Sequence, residues 1–110
     1  MRIDIVTIFP DVIRAGSSFS IIKRAQEKGI LQLGIHDLRD YTHDKHRTTD
    51  DEPFGPGAGM VMKPEPIFEA VEGIRENYGS PKTKVVLMTP QGKSYTQAAA
   101  RELAGQEHLI

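Results

Sequence analysis

A chain of 110 residues has room for one domain and one core, since a chain of this size buries roughly 60–70% of its unfolded surface. Its formal net charge of −1 excludes a global basic field that would draw it onto nucleic acid or an acidic membrane, so any RNA contact must be local. The absence of cysteine excludes disulfides, thiolate metal sites and a cysteine nucleophile, and fits a reducing cytosol. The N-terminal run MRIDIVTIFPD is too short and too soon interrupted for a signal peptide or membrane span, so the reading is a cytoplasmic protein without membrane contact.

In chain order, Ile3, Ile5, Val6, Ile8 and Phe9 predict a central first strand, buried on both faces and ended by Pro10-Asp11. Ser20 is placed to cap a short helix carrying Ile21, Ile22 and Ala25, with Lys28 in the last turn and Gly29 just past it. Leu31, Leu33 and Ile35 alternate with polar or small residues and predict a second strand to about His36. The run 36–66 then has almost no core-forming pattern and reads as a long binding loop, with a brief extended piece at Met60, Val61 and Met62. Pro64 suits the first turn of a helix whose apolar positions are Ile67, Phe68, Val71, Ile74 and Tyr78, with Glu65 and Glu69 near its positive end and Gly79 at its close.

Lys84 to Met88 reads as a third buried strand, followed by a tight turn at Thr89-Pro90-Gln91-Gly92. Thr96 can cap a last helix through Leu103 to Gly105, after which His108-Leu109-Ile110 looks like the start of a buried strand, so the expectation is a chain cut short within a strand, although a three-residue edge strand can also end a domain. The order β-α-β-loop-α-β-α-β favours a three-layer α/β fold with a mostly parallel sheet, with residues 1–110 forming part of a single domain.

Three constellations can carry chemistry. In the stretch 54–60, Gly55, Gly57 and Gly59 let the backbone take positive φ and approach a base or phosphate, although a glycine-rich turn that simply reverses the chain has the same composition. It is neither a Walker A loop nor a dinucleotide fingerprint. His36, His43 and His46 lie among Asp37, Asp40, Asp44, Asp50 and Asp51, but their spacing matches no metal site and no metal is assigned. A solvated loop or an RNA surface accounts for them more simply, with Arg39, Lys45 and Arg47 able to contact phosphates and Asp50 a base edge. The third is Leu87-Met88-Thr89-Pro90-Gln91-Gly92, whose free backbone groups at a strand end can read an adenine edge while Pro90 packs on its face; an ordinary αβ connection looks the same.

Taken in order, SIIKRAQEKG at 20–29, HDLRDYTHDKHRTTDDEPFGPGAGMVMKPEP at 36–66 and TPQGK at 89–93 closely resemble the bacterial tRNA (guanine-N1)-methyltransferases over nearly the whole chain. The resemblance implies the first part of a SPOUT, or trefoil-knot, methyltransferase domain, with the knot region and the catalytic residues beyond Ile110. It implies transfer of a methyl group from S-adenosylmethionine to N1 of the tRNA guanosine immediately 3′ of the anticodon, by a homodimer whose site lies between subunits. Residue by residue, it implies that Leu87, Met88, Thr89, Pro90, Gln91 and Gly92 contact the cofactor. It also implies that His46, Arg47, Asp50, Gly55, Gly57 and Gly59 face the tRNA and target guanine, and that residues 20–28 and the glycine loop are partly interfacial. Pro56 departs from the family, which usually has a third consecutive glycine there. The fragment alone is expected to be inactive. Two other readings stay open: a non-catalytic nucleotide- or RNA-binding module, and a metal-dependent hydrolase built on the histidine-rich loop.

Overall fold

The computed structural model describes residues 1–110. A four-stranded parallel sheet of order β2-β1-β6-β5 is formed by β1 (Arg2–Thr7), β2 (Gln32–Asp37), β5 (Thr83–Lys84) and β6 (His108–Leu109). Six register pairs, from Arg2 with Gln32 to Thr7 with Asp37, join β1 to β2. On its other edge β1 pairs with β6 through Arg2 with His108 and Ile3 with Leu109. Between β1 and β2 run α1 (Pro10–Ser17) and α2 (Ser20–Glu27); α3 (Pro64–Tyr78) precedes β5, and α4 (Gln97–Ala104) joins β5 to β6. Right-handed crossovers put the β1-to-β2 and β5-to-β6 helices on one face and α3 on the other. The Arg2 guanidinium lies 3.5 Å from the Tyr78 ring centroid, which marks the face of Arg2 and Asp4 as the one α3 covers.

Local chemistry accounts for the element ends. Gly29, at φ +69°, turns the chain out of α2 into β2. Pro64 opens α3 at a position where its missing N–H leaves nothing unbonded. The Thr96 hydroxyl accepts from the Ala99 N–H at 3.3 Å and caps α4 as expected.

Several expectations are corrected. Pro10-Asp11 does not merely end the first strand: it starts α1, with Pro10 in the first turn and Asp11 paired to Arg14. Ser20 is the first residue of α2, at φ +54°, and caps nothing; Phe19 precedes it without a side-chain bond. The first strand is not buried on both faces by apolar side chains, because its one buried residue is Asp4. In α3 the buried positions are Pro66, Ala70 and Ile74, whereas Phe68 faces solvent. The strand expected over Lys84 to Met88 is only Thr83–Lys84, extended by reciprocal bonds of Ile110 N to Lys84 O at 3.0 Å and Val86 N to Ile110 O at 2.8 Å. Beyond Val86 no neighbouring strand supplies backbone partners, and a strand without a ladder has nothing to define it.

The run 36–66 is also better ordered than its composition suggests. A 3-10 helix, Leu38–Tyr41, buries Leu38, and its first turn is held by the Asp37 carboxylate accepting from Arg39 N at 2.9 Å. A two-stranded antiparallel ribbon, β3 (Asp50–Asp51) with β4 (Val61–Met62), closes the loop, anchored by buried Thr49, whose carbonyl accepts from Lys63 N at 2.8 Å. Elsewhere burial is sparse. Leu38, Ala70 and Ile74 are the buried hydrophobic residues, and the radius of gyration is 15.6 Å against about 13 Å for a compact chain of this length.

Candidate functional site

Parallel strands present their carboxyl ends along one edge of the sheet, and two segments singled out by the sequence leave from that edge. From β2 the chain passes through Leu38–Tyr41 into 42–63. From β5 it passes through 85–88 into the turn at 89–92. The two departures flank the sheet, and three strand spacings of about 4.8 Å separate them by roughly 14 Å.

In the first segment His46 is exposed in a turn where Arg47 N donates to Asp44 O at 3.1 Å. The Asp44 carboxylate accepts from Thr48 N at 2.9 Å and from the Thr48 hydroxyl at 2.7 Å, and these bonds draw its pKa below the usual carboxylate range. Arg47 adopts φ +52° and places its guanidinium on the Asp40 carboxylate. Asp50 is in β3 opposite Met62, half-buried and held by the ribbon. Gly55, Gly57 and Gly59 occupy the exposed tip between β3 and β4. Gly55 and Gly59 have φ of +121° and +126°, as the loop reading requires; Gly57 does not have positive φ. A Cβ at any of these glycines would meet nothing within 4 Å, so the tip is open rather than packed.

Beside this segment lies a polar cavity of about 290 Å³ whose walls include Tyr41, His43, Asp51, Lys63 and Glu69. His43 Nε2 is 2.8 Å from Glu69 Oε2, which ties the loop to α3. The three loop histidines do not converge: His43 meets Glu69, His36 meets Asp4 on the sheet, and no group of three or more His, Asp or Glu side chains is arranged to hold a metal ion.

In the second segment Leu87 and Met88 are 75% and 84% exposed. The turn is closed by Gly92 N donating to Thr89 O at 3.1 Å, with Gln91 N reaching the Thr89 hydroxyl at 3.3 Å. The N–H groups of Leu87, Met88 and Thr89 donate to no backbone acceptor, so this strand end offers free donors beside exposed apolar side chains and the ring of Pro90.

Sequence reasoning passed over one group, Arg2, Asp4 and His108, which sits at the middle of the sheet. Asp4 and His108 are 1% and 2% exposed. The signal was an aspartate between Ile3 and Ile5 in the apolar run of the first strand, since a buried charge requires partners.

A family model described as tRNA (Guanine-1)-methyltransferase TrmD matches residues 1–110. Curated proteins named tRNA (guanine-N(1)-)-methyltransferase from Dehalococcoides mccartyi and Pelotomaculum thermopropionicum are 48% and 50% identical over 110 residues, which is all of this chain and 44% of each relative. A relative of the same name from Leifsonia xyli is 52% identical over 113 residues, 47% of its length. The chain thus spans about half the length of the curated relatives it matches. The crystal structure of a tRNA (m1G37) methyltransferase from Aquifex aeolicus superposes with a TM-score of 0.86 at 37% identity, over 99% of this chain and 48% of that one. With every residue inside the family match and nearly the whole chain superposing on a solved relative, the chain belongs to the tRNA (guanine-1)-methyltransferase family.

Proposed function

We propose that these residues form the N-terminal part of a SPOUT-type, trefoil-knot methyltransferase domain that transfers a methyl group from S-adenosylmethionine to N1 of the tRNA guanosine immediately 3′ of the anticodon. The observation that carries this reading is the family match over residues 1–110, together with two open segments leaving one edge of a parallel sheet.

The 87–92 turn suits an adenosine-bearing ligand: free N–H donors at Leu87, Met88 and Thr89 can meet ring acceptors, and Leu87, Met88 and Pro90 offer apolar surface. Gln91 and Gly92 complete the turn that holds those donors in place. When bound, S-adenosylmethionine supplies an electrophilic methyl group on a sulfonium. On the other flank His46 and Arg47 provide donors for phosphate, and the Asp50 carboxylate can accept from a base edge. Gly55, Gly57 and Gly59 leave the ribbon tip free of side chains, so the backbone can close on the target base. Guanine N1 must give up its proton during transfer, and the group that takes it is assigned to the part of the enzyme outside residues 1–110. The contribution of this chain is orientation of the two reactants.

The same reading includes a homodimer in the cytoplasm. Exposed Phe9, Phe19, Ile21 and Ile22 on and beside α1 and α2 support a second copy of the chain as their cover. No helix is long and apolar enough to cross a membrane.

The test is transfer of labelled methyl from S-adenosylmethionine to tRNA by the full-length protein carrying these residues. Incorporation that disappears when the guanosine 3′ of the anticodon is replaced by adenosine is the expected result; no incorporation sinks the proposal. Asp50→Ala is expected to weaken tRNA binding and turnover, and unchanged values of both would remove Asp50 from the site.

A further inference from the structure

Neither candidate segment explains the polar group at the middle of the sheet. Asp4 stands on β1 with β2 on one side and β6 on the other. Its Oδ1 accepts from Arg2 Nη2 at 2.9 Å and His36 Nε2 at 2.7 Å, and its Oδ2 accepts from Arg2 Nε at 2.6 Å and His108 Nε2 at 2.8 Å. An ionised carboxylate only accepts, so both imidazoles donate from Nε2, and in the neutral ring Nδ1 is left as an acceptor. His36 Nδ1 takes the Tyr41 hydroxyl at 3.3 Å, and His108 Nδ1 takes the Thr83 hydroxyl at 3.0 Å. Thr83 Oγ1 in turn accepts from Ser80 N at 2.7 Å. No buried side-chain nitrogen or oxygen is left without a partner.

Stability is a weak reason for such a centre, since replacing buried ion pairs by well-packed apolar side chains is often neutral or stabilising. What the arrangement adds is direction. His36 is followed by Asp37, which caps Leu38–Tyr41, the platform from which 42–63 departs. Tyr41, at the far end of that platform, bonds back to His36. On the other side His108 fixes Thr83, the first residue of β5, from which the chain runs to 87–92. One carboxylate therefore joins the strand behind the tRNA-facing segment to the strands behind the cofactor-facing turn.

We propose that Asp4 is a positioning residue that holds these two segments in a fixed relation across the sheet. This inference rests on the proposed function of the two segments. A misplacement of about 1 Å can cost roughly a hundredfold in rate without loss of either ligand.

The test uses the full-length protein carrying these residues. Asp4→Asn is expected to lower kcat about ten- to hundredfold while S-adenosylmethionine and tRNA affinities stay within about threefold, the pattern of lost alignment rather than lost binding. Thr83→Val removes the hydroxyl that orients His108 and is expected to act in the same direction, with Thr83→Ser restoring kcat. Ile74→Ala, in the apolar part of α3, serves as the stability control and is expected to lower Tm but leave kcat unchanged where the protein is folded. If Asp4→Asn does not fold, the Thr83 pair decides. Unchanged kcat in Asp4→Asn and Thr83→Val overturns the inference, as does a parallel fall of kcat and both affinities that tracks the folded fraction. A wild-type protein that methylates nothing overturns the proposed function itself, and the positioning role with it. Methylation by the wild type and by Asp4→Asn at equal rates would leave the function standing and remove only the positioning role.

Discussion

Glycine has opposite meanings in two regions of this molecule. At Gly34, a Cβ would stand 1.9 Å from Asp4 Oδ1 and 3.0 Å from His36 Nε2, so the missing side chain is the space that the buried carboxylate occupies. At the ribbon tip, a Cβ on Gly55, Gly57 or Gly59 would meet nothing within 4 Å. The sheet centre is filled and fully bonded, whereas the tip is open backbone with no neighbour against it. A scaffold of the first kind and a loop of the second are what recognition by a rigid platform with an adaptable edge requires.

The comparison can be broken most severely at Asp4. Asp4→Ala leaves Arg2, His36 and His108 facing a void with buried donors unpaired, and should cost about 4 kcal/mol in urea unfolding. Gly34→Ala should come close, at about 3 kcal/mol, because its methyl group must displace the same carboxylate. A loss below about 0.5 kcal/mol at Gly34 would mean the sheet centre is as loose as the ribbon tip.

Acid provides a gentler break. Burial by itself would raise the Asp4 pKa, but hydrogen bonds from Arg2, His36 and His108 outweigh it and hold the carboxyl below its ordinary value of 3.8. A carboxyl depressed in the folded state contributes stability above its unfolded pKa, and that contribution is lost as pH falls through the folded value. The urea midpoint should therefore drop as pH goes below about 4, and Asp4→Asn should flatten that part of the profile. An identical slope in both proteins would place the acid sensitivity elsewhere.

The smallest effects sharpen the other side. Gly59→Ala forces a side chain into φ +126° and should cost about 1 kcal/mol. Gly57→Ala has neither positive φ nor a neighbour and should fall within about 0.5 kcal/mol of wild type. Equal losses at the two positions would show that the tip is packed in solution.

Much of the scaffold was legible from local pattern. The alternation of Leu33 and Ile35, Pro64 at a helix start, Gly29 and Gly79 at helix ends and the Thr96 cap are short-range signals, and each marks the element it was expected to mark. Ser20 misled because a hydroxyl before an apolar run resembles a cap whether or not the backbone turns it toward the helix N–H groups. The long strand expected over Lys84 to Met88 failed for a different reason: β propensity describes a side chain that suits a sheet, while a strand exists only where a neighbour completes its ladder.

From its sequence alone, this chain declares a parallel α/β architecture, candidate binding segments and a family, because periodicity, caps and motif order are properties of neighbouring residues. Only the tertiary structure decided that Asp4, His36 and His108 meet on one carboxylate across residues 4–108. It also decided that Gly34 is small for their sake and that the two segments leave opposite flanks of one sheet edge. Those facts depend on strand order and register, which bring distant residues within hydrogen-bond reach and which no local pattern encodes.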